Sequence, residues 1–227
     1  MNTSNIEFLI PTQNETQHLN TLNNAFTQIS EMTQYEREYL NALILRNKPK
    51  KLLEIGVSAG GSSIVILNAI KDMQSSKLYS IDYLDYWYRE FEKYHKTGYF
   101  VDNYSYLKEK WKLYTGGLAL KFIQEIGNEI DFCLIDTRHV NPGEILDFLM
   151  VLPYLSENCI VVFPDVNLHT NRGKNCNDWS ITTNLLTSAI YGKKYLQGNF
   201  RQDDLNKLGC GGGGGVPISQ YNGNKNM

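Results

Sequence analysis

The stretch Lys51–Leu67, KLLEIGVSAGGSSIVIL, decides the fold. A short apolar run, Leu52-Leu53-Glu54-Ile55, stops at glycine. A small-residue turn follows, Gly56-Val57-Ser58-Ala59-Gly60-Gly61. Two hydroxyls, Ser62 and Ser63, then lead into a second apolar run. The pattern reads as strand, glycine turn and helix N-terminus. Glycine adopts backbone angles closed to other residues and lets a ligand approach the main chain. The helix start adds unpaired N–H groups and a partial positive charge. Such a unit holds a nucleotide-like molecule with an anionic end.

Working outward, Thr33-Gln34-Tyr35-Glu36 has the spacing of a capping box. Behind it Tyr35, Tyr39, Leu40, Leu43 and Ile44 recur at helical spacing until Pro49 ends the helix. Residues 1–30, rich in Asn, Thr and Gln, read as a polar arm with a helix near Leu19–Ile29. On the other side of the turn, a helix from Ser62 to Met73 precedes a strand ending in Asp82. Tyr83 to Tyr106 is crowded with Tyr, Trp and Phe and reads as an insertion, part of it helical over 85–95. Strands then alternate with helices: a strand at 111–115 ending in Thr115-Gly116, a helix at 118–126, and a strand at 130–136 ending in Asp136. A helix at 142–152 and an apolar strand at 158–163 follow, closing at Pro164-Asp165. A helix over 178–190 and strands at 194–197 and 216–221 complete the chain. Gly209–Gly215 reads as a mobile loop.

Alternation of strands and helices implies parallel pairing. The expected fold is α/β: a doubly wound, Rossmann-like sheet, mostly parallel with an antiparallel last strand and helices on both faces. Residues 31–227 form a single domain with the aromatic-rich insertion 83–106. In such sheets ligands sit beyond the carboxyl ends of the strands, where strand order reverses. Asp82, Thr115, Asp136 and Asp165 all fall at such ends, beside the glycine turn.

Composition narrows the partners. A content of 42% hydrophobic and 12% aromatic residues in 227 is ample for a core. A net charge of −2 gives no electrostatic reason to expect nucleic acid or an anionic membrane. No stretch approaches the roughly 18 apolar residues of a membrane span, and the N-terminus has no signal-peptide pattern. Four scattered cysteines, Cys133 and Cys159 among them inside apolar runs, fit a reducing, cytoplasmic setting.

The turn admits two ligands. Read as G-x-G-x-x-G it gives Gly56, Ser58 and Gly61, with serine where pyrophosphate needs close backbone approach. Read as E-x-G-x-x-x-G it gives Glu54, Gly56 and Gly60, the turn of class I S-adenosylmethionine-dependent methyltransferases. A carboxylate at Glu54 repels pyrophosphate and attracts a sulfonium ligand with a free ammonium group. Beyond the turn, the segment from Tyr39 to Val166 resembles the small O-methyltransferases of the family-24 and cephalosporin-hydroxylase-like types. The matching pieces are LEIGVSAGGSS, SIDYLD, LIDTRHVNPGEILDFL and NCIVVFPDV. Thr137, Arg138 and Pro164 depart from the family pattern; at Pro164 the family has His, or Glu in metal-binding members.

That resemblance implies S-adenosyl-L-methionine as cofactor, transfer to an oxygen of a small-molecule acceptor such as a sugar or secondary metabolite, and a set of contacts. Glu54, Gly56, Ser58, Gly60 and Ser62 would hold the methionine moiety. Asp82 would accept from the ribose hydroxyls. Thr115 and Gly116 would lie near adenine, and Asp136 near the methionine ammonium. His139, three residues past its strand and able to titrate near neutral pH, is the candidate base, with Asp165 to orient it or act beside it. The plainer alternative for His139 is a loop or helix-capping histidine, and for each acid a cap or loop hydrogen bond. Arg138 would clamp an acceptor bearing carboxylate or phosphate. Asp136 and Asp165 offer two oxygen ligands for Mg²⁺, with Asn167 as a third. The aromatic stretch is either packing, including a contact between subunits of a homo-oligomer, or the lining of an acceptor pocket. Two other functions stay open: a nicotinamide-dependent oxidoreductase, and a non-catalytic protein that keeps the fold.

Overall fold

The computed structural model describes residues 6–22, 30–89, 95–140, 142–164, 193–197 and 217–220. Eight strands form one sheet: β1 (Ile6–Leu9), β2 (Lys51–Ile55), β3 (Lys77–Asp82), β4 (Trp111–Thr115), β5 (Ile130–Ile135), β6 (Leu155–Val162), β7 (Lys194–Gln197) and β8 (Pro217–Gln220). Their order across the sheet is β1-β7-β8-β6-β5-β2-β3-β4. The five strands from β6 to β4 pair in parallel, as expected from the strand–helix alternation. Strand β8 runs antiparallel to both β6 and β7.

Five α-helices are described: α1 (Gln13–Leu19), α2 (Gln34–Asn47), α3 (Gly61–Ile70), α4 (Ala119–Ile126) and α5 (Gly143–Val151). From β2 the chain steps through β3 to β4. It then crosses back past β2 to β5 and β6. Right-handed crossovers that step in opposite directions place their helices on opposite faces. In keeping with this, α3 packs with α2 and α1, and α4 packs with α5. Strand order reverses between β2 and β5, so the loops after Ile55 and Ile135 flank the crevice that this topology reserves for a ligand.

The sequence explains which parts are deepest. Phe132, Cys133, Leu134 and Ile135 of β5 are fully buried, as expected of a strand covered on both faces. Helix α3, GSSIVILNAI, is buried on every side, which its nearly uniform apolar composition permits. Thr33 and Glu36 close the expected capping box at α2. Cys133 and Cys159 are free, buried thiols. Among the described residues no helix is long and apolar enough to cross a membrane.

Three expectations are corrected. The polar arm contributes an edge strand, β1, and a helix at Gln13–Leu19, and residues 23–29 of the helix expected near Leu19–Ile29 lie outside the described set. A second capping box, Thr12 with Glu15, starts α1, and Arg46 of α2 grips Glu15 through two hydrogen bonds of 2.7 and 2.8 Å. That guanidinium holds the Glu15 carboxyl down at about 2. Leu9 and Leu22 join the core, but α1 itself buries no residue and is held by these polar contacts, which a search for apolar periodicity does not register. In the aromatic stretch, residues 85–89 of the helix expected over 85–95 form turns and a lone bridge from Tyr86 to Lys96, and residues 90–94 lie outside the described set. A 3-10 segment follows at Tyr99–Lys110, kinked at Tyr104. Strand β6 starts at Leu155, earlier than the apolar run, because its first residues pair with Ile130 at an irregularity in the ladder. The helix expected over 178–190, together with Asp165 and Asn167, lies outside the described residues.

Candidate active site

The glycine turn is built by contact with its neighbours. Gly56 has φ +92°, and a Cβ there would lie 1.9 Å from the Asp136 carbonyl oxygen. Any side chain would collide with backbone, so the two crevice loops touch main chain to main chain. The Gly56 N–H donates to the Ile81 carbonyl and the Asp136 N–H to the Ile55 carbonyl, at 2.9 and 2.8 Å. Ser58 takes φ +52°, a left-handed conformation for a residue with a side chain. Gly60, at φ +100°, is the N-cap of α3 and supplies no side-chain cap. Beside it the buried Ser30 hydroxyl has no hydrogen-bond partner among the described residues, and a Cβ on Gly61 would stand 3.1 Å from it. A partnerless hydroxyl against an uncapped helix start is a cradle that a carboxylate would complete.

Glu54 does not face this cradle. It is 0% exposed, and its carboxylate accepts from three hydroxyls, Ser62 at 2.5 Å, Ser63 at 2.6 Å and Ser80 at 2.6 Å. Ser80 in turn accepts from Trp111 Nε1 at 2.8 Å. Burial pushes the Glu54 carboxyl above its usual value, against the three hydroxyl bonds that favour the anion. The expectation that this carboxylate attracts the ligand's ammonium is thereby corrected. Glu54 and the Ser62 hydroxyl join β2 and β3 to the first turn of α3.

Asp82 secures the other end of the turn. Its Oδ2 accepts from the Val57 and Ser58 N–H groups at 2.8 and 3.0 Å, and its Oδ1 from the Leu84 N–H at 2.9 Å. Thr115 pairs with Asp82 across β3 and β4. After it, Gly116 has φ +75°, and among the described residues nothing lies within 4 Å of where its Cβ would be.

The loop after β5 carries the titratable groups. His139 Nε2 lies 3.6 Å from Asp136 Oδ1, and His139 Nδ1 lies 2.6 Å from Glu144 Oε1. Asp136 and His139 are partly exposed, whereas Glu144, in the first turn of α5, is buried. One turn further along α5, Asp147 accepts from the Thr137 hydroxyl at 2.9 Å. Burial raises the Asp147 carboxyl, and the nearby Glu144 adds to the rise. Thr137 thus has a structural task here, anchoring the loop to α5, while Arg138 is exposed.

The aromatic stretch leans on the turn. Gly98 N–H donates to the Ser58 carbonyl and Phe100 N–H to the Ala59 carbonyl, at 2.8 and 3.1 Å. Phe100 and Tyr104 are buried, His95 stacks on Tyr99 with Trp87 tilted against both, and Tyr83 and Tyr106 are exposed. Glu31 bridges the parts: it accepts from the Ser58 hydroxyl at 3.0 Å and pairs with Arg89 at 3.0 Å. The structure thus brings Gly56, Ser58, Gly60, Asp82, Thr115, Gly116, Asp136 and His139 to one rim and leaves Glu54 and Ser62 beneath it. Ser30, Glu31 and Glu144 are additions that sequence reasoning missed. Only Glu144 had a signal, an acid five residues after the candidate base at the start of a helix.

A family model described as a methyltransferase domain, methyltransferase family 24, matches residues 53–166, half of the chain. The chain belongs to methyltransferase family 24. This family-24 chain is therefore an S-adenosylmethionine-dependent methyltransferase of class I, as the motifs implied. No curated protein matches it by sequence. Solved structures share its fold. The O-methyltransferase TomG from Streptomyces achromogenes, involved in tomaymycin synthesis and solved with S-adenosylmethionine, is 15% identical with a TM-score of 0.63, over 89% of this chain and 91% of TomG. An O-methyltransferase from Bacillus cereus in complex with S-adenosylhomocysteine is 17% identical, TM-score 0.61, over 94% and 93% of the two chains. A methyltransferase from Podospora anserina with S-adenosylhomocysteine bound is 16% identical, TM-score 0.59, over 94% and 98%.

Proposed function

We propose that this family-24 methyltransferase transfers a methyl group from S-adenosyl-L-methionine to an oxygen of a small-molecule acceptor. The observation that carries the reading is the crevice between the β2 and β5 loops, with a positive-φ glycine turn on one wall and His139 on the other. When bound, the cofactor supplies a methyl carbon on a positively charged sulfur, open to in-line attack. The chain's task is to hold the two reactants in line and remove the acceptor's proton.

The cradle of Ser30 and the α3 N-terminus suits the cofactor's carboxylate. An ionised carboxylate has roughly four acceptor sites, and Asp82 has three of them filled by backbone N–H groups. It thus retains capacity for one ribose hydroxyl on Oδ1 rather than two. The side of Gly116 where a Cβ would meet no described residue suits the flat face of adenine. Asp136 would meet the ammonium group, since Glu54 is sealed under the turn. His139 takes the acceptor's hydroxyl proton. Asp165, which follows β6, would orient His139 or act beside it. Among the described residues no group of three or more His, Cys, Asp and Glu could hold a metal; Mg²⁺ at Asp136 and Asp165 would show as turnover lost to EDTA and restored by Mg²⁺.

Calorimetric titration of S-adenosylhomocysteine and of NAD⁺, each into the purified protein, tests the reading. Saturable binding of S-adenosylhomocysteine is expected, with no heat from NAD⁺. Binding of NAD⁺ alone would sink the proposal, and binding of neither would turn it toward a non-catalytic role.

A further inference from the structure

A neutral imidazole carries one proton, and only its bare nitrogen can accept another. In His139 the geometry selects between them. Nδ1 stands 2.6 Å from Glu144 Oε1, and Nε2 stands 3.6 Å from Asp136 Oδ1. A carboxylate accepts and does not donate, so the short contact requires the proton on Nδ1. Glu144 is suited to hold it: the residue is 1% exposed and sits in the first turn of α5, where a helix favours negative charge. The loop cannot drift from that partner. Thr137 is tied to Asp147 one turn along the same helix, and the Asp136 N–H is tied to the Ile55 carbonyl.

We propose that Glu144 is the positioning residue of the transfer site, fixing His139 as the Nδ1–H tautomer and turning Nε2 toward the Asp136 side of the crevice. Glu144 touches neither cofactor nor acceptor; it acts through the ring. The proposal rests on His139 being the base. Its logic is that of an imidazole held in one tautomer by a buried carboxylate, where losing the correct tautomer costs rate without disturbing binding.

The test combines nitrogen NMR with kinetics on the full chain. Protein labelled with ¹⁵N-histidine is compared with His139→Ala to assign the His139 ring nitrogens at a pH where the ring is neutral. Wild type should show the proton on Nδ1. Glu144→Ala should lose that pattern, and Glu144→Gln, whose side-chain oxygen accepts the same bond, should keep it. With S-adenosylmethionine and an accepted substrate, Glu144→Ala should lower kcat by roughly 10²-fold, within the range of a general base's contribution. KM for S-adenosylmethionine should hold, and Glu144→Gln should recover most of the loss. If Glu144→Ala fails to fold, Glu144→Met keeps the volume and removes the acceptor. A proton on Nε2 in wild type, or a wild-type kcat in Glu144→Ala while His139→Ala is inactive, would overturn the proposal and leave the base reading standing. Wild-type turnover in His139→Ala removes the base reading itself, whatever tautomer is seen.

Discussion

Glu54 and Glu144 are both buried carboxylates beside the same crevice, and they have opposite surroundings. Glu54 sits at the end of β2 with its oxygens taken by three hydroxyls. Glu144 sits in the first turn of α5 with its Oε1 against an imidazole. Hydroxyls do not change charge near neutral pH, so the Glu54 cluster is a fixed joint between two strands and a helix. An imidazole does change charge, so the Glu144 cluster can take part in moving a proton. Proximity to a ligand crevice therefore does not tell a structural acid from a functional one; the titration behaviour of its partners does.

Four measurements would break or sharpen this contrast. The largest effect is expected from His139→Ala, which should cut turnover by roughly 10²–10⁴-fold and also lower the urea-unfolding midpoint, because the buried Glu144 carboxylate loses that donor. Wild-type turnover would put both acids on the structural side. Next, Glu54→Ala should destabilise the fold by about 3–4 kcal/mol, because it removes three hydrogen bonds to a carboxylate and leaves a void under the turn. A change under about 1 kcal/mol, the scale of an ordinary neutral hydrogen bond, would show that the serines do not depend on it. Ser80→Ala should cost about 2 kcal/mol by chemical denaturation, since Glu54 loses one donor and Trp111 Nε1 loses its acceptor. An unchanged midpoint would mean that water replaces the hydroxyl.

The smallest effect is a pH slope. The folded Glu54 carboxyl lies above its usual value because of burial. Below about 4.3, the ordinary Glu value, both folded and unfolded chains hold the proton and the contribution is complete. As pH rises from there toward the folded value, the unfolded chain releases its proton first and stability falls. Glu54→Gln should flatten that fall, leaving the part due to Asp147, whose carboxyl is also raised. Glu15 runs the other way: held at about 2 by Arg46, it loses its contribution only as pH drops below the ordinary value. Urea midpoints between pH 4 and 7 would check the slope, and one equally steep in the Gln variant would remove Glu54 as its source.

The parallel core was legible because buried strands are written as apolar runs and their ends as glycine or acid: KLLEI, SID and CLID announce β2, β3 and β5. The edge was not. Strand β1 has four residues and pairs with β7, nearly two hundred residues away in sequence, and α1 is held by Arg46 and by polar contacts among His18, Asn41 and Asn68. The rim acids were legible as positions but not as contacts. Nothing local to LEIG shows that Glu54 turns inward, since that depends on Ser80 from the neighbouring strand. Glu144 was hidden because its partnership with His139 crosses the loop-to-helix boundary at Pro142, where neither strand nor helix spacing applies.

The bonds from Gly98 and Phe100 to the carbonyls of Ser58 and Ala59 have a practical consequence for protein engineering. The aromatic stretch is the natural place to randomise when seeking new acceptors, yet two of its residues are fastened to the turn that would grip the cofactor. A library spanning the whole stretch would confound acceptor scope with cofactor affinity. One that freezes 97–101 and Tyr88, whose hydroxyl bonds the Glu31 that holds Ser58, and varies the exposed Tyr83 and Tyr106 would keep the two apart.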